Sequence, residues 1–294
     1  MIEKPGRKAV STPPMMVEMM RSFVVLARTQ NLTCAVGELG ITRQTVRRHI
    51  TQLEELLGCD LLVPGPKGYS LTEDGQRHLT NADWTLRHMA DWVAGSVDVV
   101  GHLQQVTVEL DDGRYFCGQQ YKLSDVWRLG TSSIRQCFRA WTESEGNVDH
   151  PLIDEIRPKI IMFRKQQEKW LYIHVGDQSS MAHWFGLDWA RSEVGSFLTN
   201  DLMASDADRL VSHAYDETLA QGTVRYDHIA TTLARTKGGP AEPVNYQRLM
   251  MAFRLPNGSP VLGALRVFTD KIEVPKPAGV DLLPMADDVI RPDG

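Results

Sequence analysis

Cysteine is scarce in this sequence: Cys34, Cys59, Cys117 and Cys137 stand far apart, and no two share a C-x-x-C spacing. That speaks against a zinc ribbon or a disulfide framework and leaves buried, reduced thiols as the expectation. The chain also has no phosphate-binding glycine loop, no H-E-x-x-H pair and no G-x-S-x-G elbow. No nucleophile–base pair and no metal set can be assembled, so no catalytic or metal residue is assigned and an enzyme ranks below a binding function. His150, His174, His183, His213 and His228 are too dispersed to give a metal spacing. No apolar run reaches membrane-spanning length, and the stretch Met15–Ala27 is interrupted by Glu18 and Arg21. The first residues lack the apolar core of a signal peptide. No membrane partner and a cytoplasmic location are therefore expected.

What the chain does have is length and an uneven charge. Its 294 residues, 42% hydrophobic and 23% charged, suit two soluble domains with real cores. The net charge is -5, yet Met1–Ser70 carries nine Lys and Arg against six Asp and Glu. A basic head on an acidic body points weakly toward a polyanion.

Residues 1–14, ending in Thr-Pro-Pro, read as a flexible arm. A first helix follows with Met16, Met20, Phe23, Val24 and Ala27 at helical spacing. Asn31 or Thr33 caps a short second helix with Ala35, Val36 and Leu39 on its apolar face, and Gly40 ends it. Thr42 is a suitable N-cap for a third helix in which Val46, Ile50, Leu53 and Leu57 form the inner stripe, with Gly58 as the C-terminal stop. The opposite face then carries Arg43, Gln44, Arg47 and Arg48, with Thr42 and Thr45 at the entry. Arginine grips guanine bidentately and glutamine adenine, so this face fits the major groove of double-stranded DNA. Equally, Arg and Gln are ordinary solvated helix residues. The segment Asp60–Thr72 tips the balance, because two short apolar runs flank Pro64-Gly65-Pro66-Lys67-Gly68. This pattern predicts a small hairpin, a wing, with Lys67 at its tip for a phosphate.

The module resembles the winged helix-turn-helix domain of LysR-type transcriptional regulators. The resemblance runs through Phe23 and Ala27, then Asn31–Thr42, then Val46, Ile50, Leu53, Glu54, Leu57, Gly58, Leu61 and Leu62, and ends on Leu71–Gly75. It implies DNA contacts from Thr42, Arg43, Gln44, Thr45, Arg47, Arg48 and Lys67. Where the family usually has glutamine and serine, this chain has Arg43 and Arg47, and Leu61-Leu62-Val63-Pro64 departs from the usual run before the wing. An altered DNA preference and a larger salt-sensitive component of binding follow.

Beyond Thr72, the residues Leu79, Ala82, Leu86, Met89, Val93, Ser96, Val100 and Leu103 step in alternating threes and fours. They read as one long helix over 76–104, either packed on its own domain or forming a dimer seam through Leu79, Leu86, Met89, Val93, Val100 and Leu103. Trp84 and Trp92 lie near that seam, and the resembled family dimerises through a linker helix at this place, which favours a homodimer.

The expected two-lobed effector domain of that family has no counterpart in the pattern that follows. Residues 105–270 read as a hairpin around Asp111-Asp112-Gly113, a helix with Ile134, Cys137, Phe138 and Trp141, and a strand at Lys169–Gly176. A helix at Asp206–Gln221, capped by Ser205, comes next, then strands at Val224–Ala234, Tyr246–Leu255 and Val261–Thr269. Pro256-Asn257-Gly258 marks the last turn. This order, with Glu193–Gly222 and Val244–Phe268, is similar to a PAS domain. The fold class expected is thus α+β: a winged helix-turn-helix over 15–75, a dimerisation helix over 76–104 and a PAS-like antiparallel sheet with helices over 105–270. The tail, 271–294, reads as disordered. A PAS-like body implies a sensor of a small molecule or a surface for a partner protein, with the cofactor unknown. His213 on the long helix is a conceivable haem ligand but more ordinary as a surface or core residue. Trp170, Tyr172, Trp184, Phe185, Trp189, Tyr226 and Tyr246 either line a cavity or fill the core. The two functions left open are a dimeric DNA-binding regulator and a scaffold that works through its PAS-like body.

Overall fold

The computed structural model describes residues 13–65, 68–93, 97–100, 103–109, 114–166, 169–198, 206–236, 239–274, 284–286 and 289–290. They form two units, Met1–Ala94 and Gly95–Gly294, each with its own core.

The N-terminal unit opens with α1 (Met16–Thr29), α2 (Leu32–Leu39) and α3 (Arg43–Leu57). Asn31 caps α2, its Oδ1 accepting from the backbone N–H groups of Thr33 and Cys34 at 2.8 and 3.2 Å. Gly40 and Gly58 close α2 and α3 at φ of 67° and 70°, a left-handed conformation that costs glycine little. The core takes Met19, Phe23, Leu26 and Ala27 from α1, so the buried face of that helix is turned from the expected Met16, Met20 and Val24, which are half-buried. From α3 it takes Val46, Ile50 and Leu53, while Leu57 is 36% exposed at the rim. The inner place that no apolar residue fills belongs to His49, whose Nδ1 meets Ser22 Oγ on α1 at 2.8 Å.

Strands β1 (Leu62–Gly65) and β2 (Gly68–Leu71) pair antiparallel in the register Leu62↔Leu71 to Gly65↔Gly68, which is the expected hairpin. Its tip, Pro66 and Lys67, lies outside the described residues. Then α4 (Glu73–Val93) starts on Thr72, whose Oγ1 accepts from Gly75 N–H at 2.8 Å. The long helix is shorter than its heptad spacing predicts. It stops at Val93, and Val100 and Leu103 fall on strands, so neither can extend a helical seam. Valine's branched Cβ fits a pleated strand better than a helix, and the sequence there is Val97-Asp98-Val99-Val100. At the other end, Ala82 is buried and Leu79 half-buried against the core of their own unit. The helix is therefore part of the N-terminal unit, and the body begins at residue 95 rather than 105.

The body is built on β3 (Val97–Val100), β4 (Leu103–Glu109) and β5 (Tyr115–Tyr121), then α5 (Val126–Leu129), α6 (Ser132–Glu143) and α7 (Pro151–Ile156). Next come β6 (Ile161–Gln166), β7 (Lys169–Val175), α8 (Ser180–Phe185), α9 (Leu187–Glu193) and α10 (Asp206–Gln221). It closes with β8 (Val224–Ala234), β9 (Ala241–Arg254) and β10 (Pro260–Phe268). Among the described residues the strands make one antiparallel sheet in the order β3-β4-β5-β8-β9-β10-β6-β7. Helices cover both faces. Val126, Ile134, Cys137, Ile153 and Ile156 from α5–α7 pack on Leu249, Met251, Phe253 and Leu265, whereas Met181, Trp184, Ala214 and Tyr215 from α8 and α10 pack on Tyr246, Met250, Ala264 and Phe268. Burial on both sides is why β8 and β9 run through long stretches with no exposed residue instead of alternating.

This double cover gives the body two cores, one on each face of its sheet. Ala214 lies in the α10 core, but Ile173, Leu249, Met251 and Leu265 belong to the opposite one, because the side of a strand that faces a given helix changes with a single residue of phase. Ser205 and the side chain of His213 lie outside the described residues. The tail is not uniformly free either: Met285 and Val289 are buried in the α8–α10 core, and Ile272 and Val274 pack beside Tyr115 and Cys117. These apolar tail residues cover surface that the sheet would otherwise expose.

Candidate nucleic-acid interface

The exposed face of α3 is built from its cap outward. Thr42, in extended backbone, accepts from Thr45 N–H at 3.2 Å, and the two hydroxyls lie 2.9 Å apart. This fixes the first turn and leaves the N-terminal amides of α3 open to an anion. With Val46, His49, Ile50 and Leu53 turned inward, Thr42, Arg43, Gln44, Arg47 and Arg48 are exposed together and Thr45 is half-buried. Arg43 is held sideways: its Nη2 donates to Thr33 Oγ1 on α2 at 2.8 Å. Arg47 and Arg48 make no ion pair with another described residue, so their guanidinium donors remain available.

Several residues that support this face are not among the expected contacts. Thr33 steers Arg43 from ten residues away. Glu54 Oε1 accepts from the N–H groups of Leu61 and Leu62 at 2.8 and 3.3 Å and thereby sets where the hairpin leaves α3. The hairpin is pinned to the turn after α1, since Tyr69 N–H donates to Gln30 O at 2.8 Å. A Cβ at Gly68 would stand 2.1 Å from that same oxygen, so only glycine fits there. His49 is neutral by environment: burial, then the Arg48 charge, push its pKa below the ordinary value. Of the other expected features, Cys117 and Cys137 are buried thiols pushed up by burial to about 11 and about 12, while Cys34 is exposed.

Three helices, a capped and arginine-bearing third helix and a two-stranded hairpin define a winged helix-turn-helix. Residues 17–76 match the model of the bacterial regulatory helix-turn-helix protein, lysR family, and form a helix-turn-helix domain of that type. The HTH-type transcriptional activator AmpR of Citrobacter freundii is 34% identical over 79 residues, which are 27% of this chain and 26% of AmpR. The HTH-type transcriptional regulator DgdR of Burkholderia cepacia is 31% identical over 84 residues, 28% of this chain and 29% of DgdR. Among solved structures, the BenM DBD in complex with catB site 1 DNA is 29% identical, at a TM-score of 0.26, over 27% of this chain and 89% of that one. The chain spans 20% to 29% of the length of the curated relatives it matches. No described helix is long and apolar enough to cross a membrane.

Proposed function

We propose that the protein is a DNA-binding transcriptional regulator of LysR-like type, working as a homodimer, with a PAS-like body that senses a small molecule or a partner. The observation that carries this reading is the α3 face, where Arg47 and Arg48 stand exposed and unpaired among described residues beside a properly capped helix start. Thr42, Arg43, Gln44, Thr45, Arg47 and Arg48 are the proposed contacts to DNA, with Lys67 of the wing tip reaching a phosphate. AmpR and DgdR are named as transcriptional regulators, and the domain they share with this chain supports the same role here.

Support for the dimer lies at the end of α4. Trp92 and Val93 are 68% and 77% exposed, and Leu86 and Met89 are half-buried on the same helix. The proposed seam is therefore Leu86, Met89 and Val93, without Val100 and Leu103, and with Leu79 turned to its own core. Support for a PAS-like body is the chain order of β6 and β7, short helices, the long α10 and three closing strands, with β10 returning to pair beside β6. A scaffold acting through that body alone leaves the exposed arginines of α3 without a use.

Selection of bound sequences from a random duplex pool tests the reading directly. The full chain should enrich paired half-sites, and Leu86→Arg, which places a charge in the seam, should sediment as a monomer and bind them far more weakly. A pool that emerges without a shared motif would sink the regulator reading in favour of the scaffold.

A further inference from the structure

Beneath α10, the body buries more positive than negative charge. The sheet register sets Asp227 opposite Arg248, and Arg248 opposite Arg266, on neighbouring strands β8, β9 and β10. Asp227 Oδ1 accepts from Arg225 Nε at 2.8 Å, and its Oδ2 accepts from Arg248 Nε and Nη2 at 3.1 and 2.9 Å. Glu217 Oε2, on α10, accepts from Arg225 Nη1 at 2.8 Å. Among the described residues, two carboxylates thus serve two guanidiniums, Arg225 and Arg248, and the charge they leave over is that of Arg266. This residue is 5% exposed and donates through Nη2 to the hydroxyl of Tyr215, while its Nε has no partner among the described residues. Arg248, 3% exposed, likewise has an Nη1 without a partner among the described residues.

A guanidinium does not shed its proton in a protein, so this charge cannot be relieved by titration of Arg266. The neighbouring phenol of Tyr246 does not supply a counter-charge, since burial pushes its pKa up and keeps it neutral. Like charges directly opposite on adjacent strands repel, and a buried charge without a partner is costly. We propose that Arg266 and Arg248 hold the carboxylate of a small organic monoanion beneath α10. One excess positive charge matches one negative charge, which disfavours a dianionic phosphate. The planar forks of two arginines suit the two oxygens of a carboxylate. Tyr215 accepts from Arg266, and Trp170 meets Tyr215 edge-on at 5.6 Å, so the rest of the molecule would meet aromatic surface. The inference deepens the sensing part of the proposed function and rests on it only for a consequence at DNA.

The test uses the full chain, dialysed exhaustively into chloride buffer, with its thermal unfolding followed in sodium acetate, hexanoate, phosphate and chloride at one ionic strength. A bound carboxylate should raise the melting temperature by about 3–6 °C at ten times its half-saturating concentration, with no such rise in phosphate or chloride. Arg266→Met should melt at or above the dialysed wild type, because the surplus charge is gone, and should lose the carboxylate response. Should that variant not fold, Arg266→Lys keeps the charge without the fork and should need at least tenfold more carboxylate; an unchanged response overturns the proposal. So does the absence of any rise with both carboxylates, an equal rise in chloride, or a retained response in Arg266→Met. DNA titrated in the same samples separates the two readings. A carboxylate response without DNA binding removes the regulator reading alone, and DNA binding without a carboxylate response removes this inference alone.

Discussion

The arginines of the two units live under opposite conditions. On α3, Arg47 and Arg48 are in water and have no carboxylate among the described residues, whereas in the body Arg225 and Arg248 are buried and each is fixed by Asp227. Water solvates the first pair at little cost, so they can be left free for an outside anion such as a phosphate or a guanine edge. Burial makes a free guanidinium costly, and for Arg225 and Arg248 the row Glu217–Arg225–Asp227–Arg248 supplies carboxylate partners within the fold. On the proposed reading, the same residue type serves recognition of DNA in one unit and the internal organisation of a buried charge row in the other.

The sharpest break in this comparison is the removal of Asp227. It holds two guanidiniums at once, so Asp227→Ala leaves both Arg225 and Arg248 short of charge inside the body. The cost should be about 3–5 kcal/mol to the body's stability. In denaturant unfolding the body's transition should move sharply, while the transition of the N-terminal unit should stay where it is. A small, uniform shift would mean that the buried row is not what organises the body.

A further consequence of burial in the body appears with acid, at His228. Its Nδ1 accepts from Glu273 N–H at 2.9 Å and its Nε2 meets the Tyr226 hydroxyl at 2.6 Å, so the neutral ring with the proton on Nε2 satisfies both contacts. Burial pushes its pKa down to about 4, against the raising effect of Glu273 and Asp227. Between that value and the ordinary 6.5, the unfolded chain holds a proton that the folded one does not. This group's contribution to stability is therefore present in full above about pH 6.5, falls as the pH drops, and is lost below about 4. The span corresponds to roughly 3 kcal/mol. Unfolding of the body should show this slope between pH 6.5 and 4, and His228→Gln should flatten it.

Much of this contrast was invisible in the chain. The head was legible because its signals are local: Thr42 before a periodic helix, Gly40 and Gly58 after helices, Pro64-Gly65 between two apolar runs. In the body, α10 and the three closing strands could also be placed, since Gly222 and Pro256-Asn257-Gly258 punctuate them. By contrast, β6 is hard to read from the sequence, because Ile161-Met162-Phe163 is a short apolar run without alternation that ends in Arg-Lys-Gln. The helix through Val100 and Leu103 was misread because a spacing of threes and fours tolerates an alternating strand over so short a stretch. No local pattern distinguishes Arg248 or Arg266 from a surface arginine. Their burial follows from helices laid over both faces of the sheet, a tertiary fact.

On the recognition side the effects should be smaller. Arg47→Ala should weaken binding to the selected sequence by about 1–3 kcal/mol and relax preference at one position, if Arg47 reads a base edge. Arg48→Ala, if it meets a phosphate, should weaken all sequences alike and reduce the slope of affinity against salt by about one. Titrations at several salt concentrations separate the two. Identical behaviour of both variants would show that α3 contributes charge but no readout.

The smallest expected effect concerns the cap of that same helix. Thr42 offers one hydroxyl to Thr45 N–H and stands itself among the proposed contacts. Thr42→Ala removes an acceptor at the helix start and should lower the stability of the N-terminal unit by about 1 kcal/mol. Thr42→Ser keeps the acceptor and should restore that stability. The pair distinguishes cap from contact: if Thr42 only caps α3, DNA affinity should recover with serine as fully as stability does. If its methyl group also packs on a thymine, the serine variant should fold like the wild type yet bind with reduced preference at a single A·T position. Unfolding curves and competition titrations on the two variants decide which, and the body's transition should be the same in both.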